Sequence, residues 1–289
     1  MKERVTFIGA GNVAWNLSHA LHESGYRIGG ISSRKKSSAK KLAAKFKCAF
    51  TTDPTHITQN TDIIFITTPD SAINEIVNAL CAEKSLNKNQ LIVHTSGLLS
   101  AKSMNCVKKW GAIPLSMHPA FSFSSPLFKK NEFKGVYFVL EGSSRAVEKG
   151  KTIVRNLGAK SIVIAGEMKP LYHLALVFAS NLFVGIEDMA VNLLSQCGIE
   201  EKDARNLIKP LVEVTEKNIL EKGTLKALTG PVEREDIETL KKHLSTLTKY
   251  KYAYKKVYTE LSKHLVTMVE KKGEVDKKAL WLMRKMLSD

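Results

Sequence analysis

Along residues 1–165, short apolar runs alternate with stretches whose apolar positions recur every three or four residues. The first pattern suits buried strands and the second amphipathic helices. VTFIGA (5–10) is an apolar strand ending on glycine, and Asn12 to Glu23 places Val13, Leu17, Ala20 and Leu21 on one helical face before Gly25 stops it. RIGGISS (27–33) predicts a second strand, 36–46 a Lys/Ala-rich helix and CAFTT (48–52) a third strand. DIIFITT (62–68) is apolar nearly throughout, as a central parallel strand should be. Pro69 then opens a helix over 70–82. LIVHTSG (91–97), AIPLSMHP (112–119), GVYFVLEG (135–142), a helix over 143–157 and SIVIAG (161–166) complete the alternation. Strands alternating with helices in this way predict βαβ units and a doubly wound parallel sheet of the Rossmann kind.

Past Gly166 only helical periodicity remains, over 170–196, 201–222, 232–249, 252–272 and 276–288, with Gly198, Gly223, Gly230–Pro231 and Gly273 as punctuation. The expected fold class is therefore α/β followed by an all-helical part, divided into 1–166 and 167–289. The stretch Leu171 to Leu194 is the most apolar, but it carries His173, Asn181, Glu187 and Asp188, which reads as a buried helix and not a membrane span. Apolar on nearly every side, it must be covered on most faces. One small helical domain can hardly do that, so a homodimer joined through this domain is expected.

Composition narrows the class. The chain has 289 residues, 44% hydrophobic and 25% charged, which suits two globular domains. Cys48, Cys81, Cys106 and Cys197 form no C-x-x-C pair and no zinc-ligand spacing, which predicts reduced thiols and a cytoplasmic protein without metal. Residues 4–9 are too short for a signal peptide. The net charge of +16 raises the question of nucleic acid. Its lysines are spread along the chain without interleaved aromatics that could stack bases, so a solvated surface is the expected reading.

Gly9-Ala10-Gly11-Asn12-Val13-Ala14 matches G-x-G-x-x-A between a strand and a helix. Gly9 permits the turn, Gly11 lets a pyrophosphate approach the backbone, and the amides from Asn12 and Val13 onward face the anion. NAD-binding domains place an acidic residue at the end of the second strand. Here no Asp or Glu stands between Glu23 and Asp53, and Ser32, Ser33 and Arg34, followed by Lys35 and Lys36, occupy that place. Hydroxyls with a guanidinium suit a 2′-phosphate, so the expected cofactor is NADP.

The segments IGAGNVAWNLSHAL, ISSRK, DIIFITTPDSAI, VHTSG, MHPAFSF, KPLYHLALVFASN and LTGPVERED together resemble the oxidoreductase family that joins a Rossmann-like domain to a C-terminal helical domain of unknown function. That family is grouped in the 6-phosphogluconate-dehydrogenase C-terminal-like superfamily, with pyrroline-5-carboxylate reductases and deazaflavin-dependent NADP reductases as relatives. The resemblance implies a homodimer with active-site clefts between Rossmann and helical domains, and implies no particular substrate.

Ligands of open α/β sheets lie beyond the carboxyl ends of the strands. This puts Thr67, Thr68, Pro69 and His94 near the cofactor, with Thr95, Ser96 and Gly97 following, and His118 close by. In the first helix of the second domain, Lys169 and His173 are four residues apart, and Ser180 and Asn181 follow seven and eight after His173. On a continuous helix these form one polar stripe. Lys169 and His173 also match, with His in place of Asn, the K-x-x-x-N pair of the beta-hydroxyacid dehydrogenases of the same superfamily. Pro170 sets a competing expectation, in which Lys169 sits at the helix cap and points elsewhere. Thr229-Gly230-Pro231 reads as a helix start, with Arg234 available to a substrate carboxylate. The expected function is hydride transfer from NADPH to a carbonyl or imine of a small anionic metabolite, with His118 or His173 supplying a proton, Asn181 positioning the acceptor and Lys169 contributing to catalysis or binding. A non-catalytic NADP(H)-binding sensor or scaffold stays open as the alternative.

Overall fold

The computed structural model describes residues 3–126, 132–273 and 275–288, and for Tyr252 the backbone alone. Two compact units divide at Asn181/Leu182.

In the first unit, β1 (Arg4–Ile8), β2 (Arg27–Ser32), β3 (Ala49–Thr51), β4 (Ile63–Ile66), β5 (Leu91–His94), β6 (Ile113–Pro119), β7 (Tyr137–Gly142) and β8 (Lys160–Val163) form one sheet in the order β3-β2-β1-β4-β5-β6-β7-β8. Helices α1 (Asn12–Glu23), α2 (Lys36–Phe46), α3 (Asp70–Ala82) and α4 (Ser144–Asn156) make the crossovers. The central strands are apolar because both faces are covered. Ile63, Ile64, Phe65 and Ile66 are all buried, and Phe7 stacks on Phe65 with ring centroids 5.2 Å apart. The apolar faces of α1, α2 and α4 pack on one side of the sheet, those of α3 and the segment after β5 on the other.

The sheet departs from the all-parallel expectation at one seam. β7 runs antiparallel to β6, with His118 opposite Val139. No helical crossover lies in the described part of the connection between them, and a parallel return needs one. The stretch Ala101–Trp110, for which the sequence predicts no element, forms a 3₁₀ run capped by the Ser100 hydroxyl, which accepts from Lys102 N–H.

The long apolar helix expected over 170–196 is interrupted. α5 (Lys169–Val177) leads into a π-helical turn over Phe178–Leu182 before α6 (Phe183–Gln196). The first compact unit takes in α5, which moves the division about one helix beyond the expected 166/167 boundary. The cause is local: Lys169 is fully buried at the strand ends, so α5 begins as part of the sheet unit. The run Gly166–Gln196 is long and apolar enough to cross a membrane by length and composition alone. None of its most apolar window is buried within this chain, and Leu171, Phe178 and Val184 are each at least 60% exposed.

The second unit continues through α7 (Glu201–Lys222), the short α8 (Thr224–Ala227), α9 (Ile237–Tyr250), α10 (Tyr252–Lys272) and α11 (Lys277–Ser288). Val232, Leu240, Val266, Val269, Met283 and Leu287 form its core. The expected helix start at 232 moves to Ile237. Gly230 and Glu235 both take positive φ (99° and 56°), and the Asp236 carboxylate accepts from Thr239 N–H as the cap. Arg234 is exposed on this turn.

Candidate active site

The register of the sheet aligns the carboxyl ends of the strands. Ile8 lies beside Ile66, Ile66 beside His94, and His94 beside Ser116. The order of connection reverses between β1 and β4, which opens the crevice where such sheets bind ligands.

At that point the glycine turn has the geometry its motif predicts. Gly9 has φ of +113°, and its amide donates to Ser32 O at 2.8 Å. A Cβ there would lie 2.6 Å from Thr67 Oγ1, so the turn requires glycine. A Cβ on Gly11 would meet nothing within 4 Å, so the missing side chain opens space in front of α1. No side chain caps α1 and no acidic residue lies in its first turn. The positive end of the helix therefore faces this space uncompensated. Asn12 turns aside, its amide donating to Phe123 O at 2.9 Å, and Asn16 donates to Ser125 O at 3.0 Å. These bonds fix the segment after β6 against the start of α1.

Ser32 is buried at the end of β2, while Ser33 anchors its amide on Thr51 O at 3.1 Å. Arg34 is exposed and enters no ion pair among the described residues. Asp53, the first acid after β2, is occupied by Thr55 and faces His56 at 3.5 Å. Thr67 is held by Ile8 O, whereas the Thr68 hydroxyl is buried without a hydrogen-bond partner, next to Pro69 at the start of α3. An open Gly11 face, a helix N-terminus with no side-chain cap and an orphaned hydroxyl are features that a dinucleotide phosphate group would satisfy.

Beyond β5 and β6 a second group of polar side chains gathers. Lys169 points inward, not away as a cap residue would. Its Nζ donates to Ser96 O at 2.7 Å and Ser116 Oγ at 2.8 Å. Burial pulls its pKa down to about 8 against the opposing pull of the Glu141 and Asp70 carboxylates. Tyr172 Oη is 2.7 Å from His118 Nδ1, the rings meeting edge to face. Burial, then the Lys169 ammonium, then His173 and His94 depress His118 to about 4, and burial raises Tyr172 to about 12. His173 completes the group. A Cβ built on Gly97 would lie 2.6 Å from His173 Cδ2 and 3.0 Å from His118 Nε2, so both imidazoles converge on the bare backbone of Gly97. The Gly97 turn is held by Ser96, whose hydroxyl donates to Asp70 Oδ2 at 2.6 Å and accepts from the amides of Leu98 and Leu99.

Two expected residues fall outside this group. The place of His94 at a strand end predicts a cofactor contact, but the side chain is fully buried, next to the Ser96–Ser100 turn. Its Nδ1 accepts from Ser96 N–H at 3.2 Å, and Nε2 has no partner of good geometry, although the Ser100 backbone favours its protonated form. Burial, followed by Lys169, pulls its pKa down to about 4. A continuous helix would set Asn181 on one stripe with Lys169 and His173. The π turn at Phe178–Leu182 breaks that periodicity, and Asn181 is exposed and bonded to none of them. Conversely, Tyr172 and Ser116 were missed. Tyr172 lies three residues after Lys169 on the helix, and Ser116 two before His118 on the strand, so the two periodicities could have found both.

Residues 1–119 match the Rossmann-like domain family, and residues 136–265 match a domain of unknown function, DUF2520. A protein from Thermotoga maritima is 30% identical over 93% of this chain and 100% of its own, with a TM-score of 0.73. A Bacteroides fragilis protein provisionally assigned as an NADP oxidoreductase is 28% identical over 91% of this chain and 97% of its own, with a TM-score of 0.74. An imine reductase from Myxococcus stipitatus, solved in complex with NADP+, shares the fold at 17% identity, covering 97% of this chain and 99% of its own with a TM-score of 0.63. No curated protein matches the chain.

Proposed function

The chain belongs to the family that joins a Rossmann-like domain to a DUF2520 helical domain, and from that premise we propose that it is an NADPH-dependent oxidoreductase acting on a carbonyl or imine of a small, anionic metabolite. The observation that carries this reading is the pairing, at the carboxyl ends of the strands, of an open glycine turn with the His118–Tyr172–Lys169–His173 group. The NADP oxidoreductase and imine reductase likenesses support it.

The reduced nicotinamide would supply the hydride. The backbone of Gly9 to Val13 would hold the diphosphate, Thr68 would donate to a phosphate or ribose oxygen, and Ser33 with Arg34 would hold the 2′-phosphate. His118 is neutral near pH 7 because its pKa is about 4. With Tyr172 O–H donating to Nδ1, the ring carries its proton on Nε2, the atom nearest Gly97. This N–H would donate to the oxygen or nitrogen of the substrate as negative charge develops there. Proton transfer from Nε2 would be completed by movement of the Tyr172 proton to Nδ1. The Lys169 ammonium, 5.9 Å from the Tyr172 ring centre, would stabilise the phenolate this leaves until the Nδ1 proton returns to it and solvent reprotonates Nε2, which restores the starting tautomer. His173 would orient the substrate from the other side of Gly97.

The exposed apolar side chains of α5 and α6 support a homodimer that covers them. Light scattering should give twice the chain mass at micromolar concentration. A monomer, or a protein that stays dispersed only in detergent, would exclude that assembly. The activity is tested by following NADPH oxidation against a panel of 2-oxo acids and cyclic imines. Substrate-dependent oxidation that Tyr172→Phe and His118→Ala each lower at least ~100-fold fits the proton path. Tight NADPH binding with no oxidation across the panel would favour a sensor.

A further inference from the structure

Four cysteines are free thiols, and two of them face each other. Cys81 lies in the last turn of α3 and Cys106 in the 3₁₀ run Ala101–Trp110, with their sulfurs 2.7 Å apart. That is closer than non-bonded sulfurs pack, and it approaches the S–S bond of roughly 2.05 Å. Both residues are partly exposed, so a small oxidant has access, and the side chains already point at one another. Cys48 and Cys197 have no such partner: the thiol of Cys48 bonds to Ala43 O and that of Cys197 to Leu193 O.

We propose that Cys81 and Cys106 are a redox modification site that closes to an intramolecular disulfide by exchange with a low-molecular-weight disulfide such as glutathione disulfide. Burial, reinforced by the neighbouring thiol, pushes Cys81 up to about 12, which keeps it protonated at neutral pH. In this exchange Cys106 is the first nucleophile and Cys81 the resolving thiol. Its thiolate attacks one sulfur of glutathione disulfide, forming a mixed disulfide and releasing one glutathione thiolate. Cys81 then gives its proton to solvent and attacks the Cys106 sulfur, releasing the second glutathione thiolate. The protein loses two protons and two electrons, and the glutathione disulfide gains them as two thiols.

The bond would tie the end of α3 to the 3₁₀ run across a sequence separation of 25 residues. The enclosed segment contains β5 and the Ser96–Gly97 turn, and the start of α3 already holds that turn through Asp70. Oxidation would thus staple the two supports of the turn on which His118 and His173 converge. Closing a loop of this length should raise the melting temperature by roughly 5–10 °C.

The test uses the full chain incubated with glutathione disulfide under native conditions, quenched by alkylation and mapped by mass spectrometry. The expected product is a Cys81–Cys106 cross-linked peptide, a loss of two hydrogen masses, a raised melting temperature and reversal of all three by dithiothreitol. Cys48 and Cys197 should remain alkylatable. Cys81→Ser should stop at a glutathione adduct on Cys106 that the wild type does not accumulate. Four alkylatable thiols after incubation, a lasting glutathione adduct on the wild type, or a cross-link through Cys48 or Cys197 would overturn the proposal. The wild-type map decides the matter even where the variant fails to fold.

Discussion

Replacing Lys169 by Met should change how stability depends on pH, and the magnitude follows from the burial of one ammonium group. Lys169 is fully inaccessible to solvent, and its pKa falls from 10.5 to about 8. Holding the charge in the folded protein therefore costs about 3 kcal/mol relative to the unfolded chain, at about 1.36 kcal/mol per pKa unit. Both states are protonated below pH 8, so the full cost is present there. Between pH 8 and 10.5 the unfolded chain binds more protons than the folded one, and stability rises with pH as the cost is relieved. From pH 7.5 to 9.5 the gain is about 2 kcal/mol. Cys81 and Tyr172, both raised on folding, act in the opposite sense at higher pH, so the wild-type curve alone mixes these effects. The difference between wild type and Lys169→Met cancels them. Urea titrations at several pH values across this range would measure it. The two curves should converge by about 2 kcal/mol relative to their spacing at pH 7.5, in favour of the wild type at high pH. Parallel curves would show that Lys169 is not the buried cation the site requires, and the proton path through Tyr172 would lose its supporting charge.

Other perturbations test neighbouring parts of the account. Gly97→Ala places a methyl group 2.6 Å from His173 and 3.0 Å from His118, so both rings must move. Turnover on any substrate found should fall roughly 100-fold while NADPH affinity changes less than about 2-fold; an unaffected turnover would remove Gly97 and the two histidines from the reacting centre. In acid, His94 and His118 hold their folded pKa values at about 4, below the ordinary 6.5. Unfolding at pH 5 should therefore take up about two protons, and stability should fall as pH drops from 6.5 to 4. His94→Phe should reduce the uptake by about one proton, and an unchanged uptake would place the titration elsewhere.

Much of this arrangement is legible in the chain. The alternation of apolar strands and helices gives the sheet, and Gly9 with Gly11 gives the turn: the φ of +113° at Gly9, with Thr67 packed against it, excludes a Cβ, and Gly11 leaves its side of the turn open. Lys169 and His173 stand out as polar groups on an apolar helix, and both reach the site. Asn181 does not, because helical periodicity assumes an unbroken α-helix, and nothing in FASNL announces a π turn. His94 illustrates a different limit. Its position at the end of β5 is set by the strand pattern, but whether the following turn covers it depends on the Ser96 hydroxyl bonding to Asp70, Leu98 and Leu99. The antiparallel seam at β6–β7 is invisible to a period-2 pattern, which is the same in either direction. Tyr172 and Ser116 lie within reach of periodicity, but tyrosine and serine carry no signal of their own until a partner is placed beside them.

The central claim is that the glycine turn and the basic end of β2 bind NADPH. Calorimetric titration of NADPH and NADH against the wild type and Arg34→Ala tests it most directly. A charge-assisted hydrogen bond contributes on the order of 1.5–3 kcal/mol, so the substitution should weaken NADPH by roughly 10- to 100-fold. NADH lacks the 2′-phosphate, so its weaker affinity should be nearly unchanged. Equal affinities for the two cofactors in the wild type, or equal losses in the variant, would contradict the account.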